Sequence, residues 1–69
     1  MIEVFKTNVQ KVKQVASLTA ILSDKFANFS IHFDLEDCDK ILRVEGTSIP
    51  SEMIIELLNS NGFQCEILM

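Results

Sequence analysis

The chain has no tryptophan or tyrosine, a single histidine, one proline, two glycines and two cysteines, and each shortage closes off a class of protein. Scarce glycine and proline beside an apolar share of 48% argue against disorder and for one packed core. Two cysteines, Cys38 and Cys65, are too few and too far apart in sequence for a disulfide framework or a zinc site, so free thiols in a reducing compartment are expected. No apolar run approaches the ~18 residues that span a bilayer, which argues against membrane insertion. The N-terminus also lacks a charged region followed by an apolar stretch and a cleavage site, so a cytoplasmic chain is expected. Six basic residues against ten acidic ones leave a net charge of −4, and few rings are available to stack on bases. Nucleic acid is therefore excluded as an expected partner.

What remains is a compact α/β pattern. Sixty-nine residues allow one domain, spanning 1–69, near the lower size at which a chain folds without staples. Charge is uneven: residues 1–25 carry Lys6, Lys11, Lys13 and Lys25 against Glu3 and Asp24, a balance of +2, and the remaining residues balance at −6. A solvated surface or an oriented partner would each account for that asymmetry.

In chain order, MIEVFK reads as a buried strand with Val4 and Phe5 on opposite faces. From about Gln10 to Phe26 the spacing predicts a helix whose buried stripe is Val12, Val15, Ala16, Thr19, Leu22 and Phe26, with Ile21 exposed or facing a partner. FSIHFDL alternates, placing Phe29, Ile31, Phe33 and Leu35 inward and His32 outward. After the polar turn EDCD, KILRVEG alternates again with Leu42 and Val44 inward, so the two strands form a hairpin. Pro50 suits the start of a second helix running to about Ser60, with Met53, Ile54, Leu57 and Leu58 buried and Asn61-Gly62 as its stop. GFQCEILM closes the chain as a strand with Phe63, Cys65 and Ile67 inward.

The order β-α-β-β-α-β implies an α+β, ferredoxin-like sandwich: a four-stranded antiparallel sheet in the order 4-1-3-2 with both helices on one face. In that topology the Asn8–Lys11 turn, the acidic hairpin 36–39 and the loop 59–62 meet at one end. The expected core is Val12, Val15, Leu22, Phe29, Ile31, Phe33, Leu42, Val44, Ile54, Leu57, Phe63 and Ile67. Phe5, Ile41 and Leu68 are expected on the uncovered face as an apolar trio beside Lys6 and Arg43.

Several stretches together resemble the heavy-metal-associated domain, the small copper-chaperone and metal-ATPase module: FKTNV at the entry, Val15 just after the first loop, DKILRVEG, and I-I-E-L-L-x-x-x-G-F. The resemblance covers nearly the whole chain. Such domains carry M-x-C-x-x-C at the first loop, and aligning Val9 with the methionine puts Lys11 and Gln14 on the two metal-binding positions. Two thiolates at a helix start suit Cu(I); an ammonium and an amide do not. The resemblance thus implies a degenerate domain without a metal at that loop and without a cofactor.

Other chemistry-bearing groups have ordinary readings. Cys65 alternates with Phe63 and Ile67 as a buried thiol. Cys38 sits on the hairpin, and His32 faces outward with no second ligand near in sequence. Asp34, Glu36, Asp37 and Asp39 lack the glycine and spacing of a calcium loop. Lys11 has no phosphate or carbonyl loop beside it, and no nucleophile is paired with a base, so no enzyme is expected. The sequence reading is a non-enzymatic interaction module that docks a protein partner through its loop end or open sheet face, or a second copy through the open sheet face. The alternative is heavy-metal binding or transport through non-standard ligands such as Cys38 or His32.

Overall fold

The computed structural model describes residues 1–36 and 38–68. Asp37, in the acidic turn, and Met69, at the end of the expected last strand, lie outside the described residues. The elements are β1 (Ile2–Thr7), α1 (Val12–Lys25), β2 (Ser30–Asp34), β3 (Ile41–Glu45), α2 (Ser51–Ser60) and β4 (Cys65–Ile67). The fold is α+β, with two helices and one antiparallel sheet ordered β2-β3-β1-β4, which counted from the β4 edge is 4-1-3-2.

Register fixes which side chains share a face, because directly opposed residues of an antiparallel pair point the same way. Phe33 lies opposite Leu42, Leu42 opposite Phe5, and Phe5 opposite Ile67, so this row spans all four strands on the helix-covered face. Both helices press onto it: Leu18 and Leu22 from α1 and Ile54 and Leu58 from α2 join Phe5, Val9, Leu42, Val44 and Cys65 in one core cluster. Val15, Phe29, Ile31, Phe33, Leu57 and Phe63 pack around it, half-buried.

Several expectations are corrected here. Phe5 is 0% exposed and central to the core, so it does not belong to the open-face trio. Val4 takes that place, opposite Arg43 on the uncovered face. MIEVFK has apolar residues at both parities, and a one-residue slip moves a whole strand's side chains across the sheet. The larger ring removes more apolar area from water, and this favours the register in which Phe5 is inside.

In α1 the buried stripe is Leu18 and Leu22, flanked by half-buried Val15 and Ile21, while Val12 is 78% exposed and Ala16 is exposed. Apolar residues occupy more than half of that helix's circumference, so spacing alone leaves its rotation open. Val9, in the preceding loop, is buried in the core cluster. On α2, Met53 is exposed and Ile54 and Leu58 carry the buried side. Ile67 is 42% exposed because β4 is an edge strand of three residues.

Two turns have conformations that their residues explain. Gly62 sits at φ 89° just after α2, a left-handed position that a glycine adopts without steric cost. Gly46 lies against the Phe29 ring, and a Cβ at position 46 would collide with it.

Candidate functional site

The end of the sheet where β1 hands over to α1 collects the residues that the resemblance makes interesting. Thr7 is buried, and its Oγ1 accepts from the Val9 N–H at 3.2 Å and donates to the Lys40 carbonyl. The Thr7 N–H donates to the Asp39 carbonyl at 3.2 Å, so the first loop is tied to the β2–β3 hairpin at two points. Lys40 stands at φ 49° and donates through Nζ to the Leu35 carbonyl at 3.0 Å, which steadies the hairpin from within. On the other side, Asn8 Oδ1 accepts from the Gln64 N–H at 2.8 Å and joins the loop to the α2–β4 connection. Three segments distant in sequence therefore meet at one end.

Lys11 is the residue just before α1, with extended backbone (φ −117°, ψ 143°), and its carbonyl accepts from the Val15 N–H at 3.1 Å. Its ammonium is exposed. Gln14, in the first turn, folds back so that Oε1 accepts from the N–H groups of Gln10 at 3.2 Å and Lys11 at 3.1 Å. This is one half of a capping box, since the lysine side chain has no acceptor to return the bond. Helix starts leave N–H groups unsatisfied and electropositive, which is why anions and thiolates settle there. Here a neutral carboxamide oxygen takes the N–H groups of the two residues that precede Val12.

The structure thus brings Lys11 and Gln14 together at the helix start, but as an ammonium and an engaged amide. That donor set does not fit Cu(I), which prefers soft sulfur ligands. The remaining groups are dispersed. Cys38 is an exposed free thiol on the hairpin turn, and Cys65 is a free thiol on β4 with 8% exposure. Burial, with a smaller contribution from the Glu66 carboxylate, pushes the Cys65 thiol up to about 12, so it stays protonated. His32 is exposed on β2, opposite Arg43. Among the described residues no three His, Cys, Asp or Glu side chains are grouped so as to hold a metal ion. Among the described residues no helix is long and apolar enough to cross a membrane.

Comparison with protein-family models, curated proteins and solved structures finds no match for this chain. The site therefore has to be read from its own geometry.

The uncovered sheet face is the larger feature. Leu68, Val4, Arg43 and His32 cross it in one row, the first pair joined by the Leu68 N–H donating to the Val4 carbonyl at 2.9 Å. Glu66, Lys6, Ile41 and Asp34 form the next row. Ile2, 53% exposed, lies beyond Val4 on the same face, and Leu68 is 40% exposed. Ile41 is half-buried there, and Arg43 is held by Glu45 at 2.8 Å. Of the trio expected from sequence, Ile41 and Leu68 lie on this face and Phe5 does not.

Sequence reasoning missed Thr7, Asn8 and Gln14 as the residues that shape the loop. Their signals were present: short polar side chains that bond to nearby backbone, and a glutamine three places after the helix boundary.

Proposed function

We propose that this chain is a non-enzymatic binding module on a ferredoxin-like scaffold of the heavy-metal-associated type, with a first loop that takes no metal. Its partner is a protein that docks on the uncovered sheet face. The observation that carries the reading is an apolar band on the face opposite the core, in which Ile2 and Leu68 are exposed and Val4 and Ile41 are half-buried. Exposed apolar groups ringed by charge are the usual composition of a docking surface. The acids Asp34, Glu45 and Glu66 outnumber Lys6 and Arg43 on this face, so the complementary partner has an apolar centre and a basic rim.

The loop supports the same reading from the other side. With Gln14 tying back the N–H groups of Gln10 and Lys11, and Lys11 adding positive charge, the element that carries metal chemistry in heavy-metal-associated domains serves as a structural turn. The docking is tested by immobilising the chain and comparing its retained proteins with those of Val4→Lys and Lys11→Glu variants. Retention of one basic-rimmed protein by the natural chain and by Lys11→Glu, with loss in a Val4→Lys variant of unchanged melting temperature, is expected. Retention unaffected by Val4→Lys would exclude the sheet face as the docking surface.

A further inference from the structure

Beyond that reading, the free edge of β2 has a property that the other sheet edge lacks. Among the described residues β2 is bonded to β3 on one side only, with Ser30, His32 and Asp34 opposite Glu45, Arg43 and Ile41. Backbone groups alternate in direction along a strand. The Gly46 N–H donates to the Met1 carbonyl at 3.0 Å, which places residues 42, 44 and 46 on the β1 side of the ladder and 41, 43 and 45 on the β2 side. It follows that His32, with Ser30 and Asp34, bonds inward to β3, and that the N–H and C=O groups of Ile31 and Phe33 point outward from the sheet.

We infer that this edge pairs with a second copy of the chain, antiparallel about a two-fold axis through His32. The sequence of the strand is what selects that occupant. A two-fold at His32 sets Ile31 against Phe33 of the second copy, and each such pair exchanges both of its outward hydrogen bonds. Both side chains are half-buried on the core face, so pairing extends one apolar layer across the junction. An apolar hollow of about 320 Å³, lined by Val12, Val15, Phe33, Asp34, Leu35 and Glu36, runs beneath the same edge and leaves Val12 78% exposed for that layer to cover.

Charge agrees with the register. Asp34 meets Ser30 of the second copy and Glu36 meets Asn28, so no acid faces an acid, and His32 meets its own copy. The opposite edge is unsuited to the same arrangement. β4 has three residues, and a two-fold there would set Glu66 against Glu66. Edge strands are ordinarily protected by lysine, proline or shortness. β2, SIHFD, has five residues and neither lysine nor proline.

Cross-linking tests this register. In a Cys38→Ser background, His32→Cys places two thiols in a non-hydrogen-bonded pair, where Cα atoms lie about 4.5 Å apart. That separation falls within the range a disulfide spans. In the same pairing, Ser30→Cys would hold its thiols roughly 14 Å from each other, four residues along the strand. The chain should scatter light as a species of twice its 7.8 kDa mass at mildly alkaline pH. With oxidised glutathione as oxidant, His32→Cys should form the covalent dimer at least tenfold faster than Ser30→Cys. His32→Lys, which sets two ammonium groups against each other at an exposed position, should weaken the dimer at least tenfold with an unchanged far-ultraviolet circular dichroism spectrum. A monomer at high concentration, equal cross-linking at 30 and 32, or a dimer cross-linked instead through Val4→Cys on the open face would each overturn the pairing.

Discussion

The Gln14 carboxamide reaches back to the backbone N–H groups of Gln10 and Lys11, the two residues that lead into α1, and no charge is needed to do it. Phe5 makes the corresponding point for the sheet. It is fully buried at the centre of β1, opposite both Leu42 and Ile67, so Phe5→Ala should cost about 3–5 kcal/mol by urea denaturation. Stability of roughly 0.05–0.15 kcal/mol per residue means that loss can unfold a domain of this size. A cost near zero would place Phe5 outside the core. Cys65 gives a pH prediction with a definite sign. Its thiol is raised from 9.0 to about 12 in the folded chain, so between those values the folded state keeps a proton that the unfolded state releases. Stability should be complete below about pH 9 and fall as pH rises toward 12, and a Cys65→Ala variant should show a shallower fall over that window. Equal slopes in the two proteins would show that Cys65 is not the group responsible.

At the scale of elements, β2 and β3 were legible in the sequence down to which side chains face the core. Strict alternation in FSIHFDL and KILRVEG leaves only one assignment that buries Leu42 and Val44 and leaves His32 in water. The Asn61-Gly62 stop of α2 was legible for the same reason, because a left-handed residue is needed there and glycine supplies it. β1 and α1 were not, since Val4 and Phe5 compete for the core in one and apolar residues surround most of the other. Packing against β3 and α2 decides both, and that information is not local. A close approach of two elements was also invisible in sequence: Gly46, after β3, lies under the Phe29 ring, before β2. Gly46→Ala should cost about 1–3 kcal/mol by thermal or chemical unfolding, as overpacked sites do. Pairing it with Phe29→Leu should recover part of the loss, and strict additivity of the two changes would contradict the contact.

For the whole molecule, a sequence pattern gave the layering and the meeting of three loops at one end, while the chemistry of that end depended on which groups the loops carry. Lys11 and Gln14 were legible as poor copper ligands from their types alone. That Gln14 is engaged, and that Thr7 and Asn8 clamp the loop to the hairpin and to Gln64, required the fold. The central claim is that this end is a closed structural turn and the sheet carries the binding. Titration with Cu(I) against a competing chelator at neutral pH tests it most directly, comparing the natural chain with Lys11→Cys/Gln14→Cys. The natural chain should take up no Cu(I) at the first loop. The double variant should bind one, because two thiolates then stand at a helix start where N–H donors favour them. Stoichiometric Cu(I) at the first loop of the natural chain, or a folded double variant that binds none, would contradict the account.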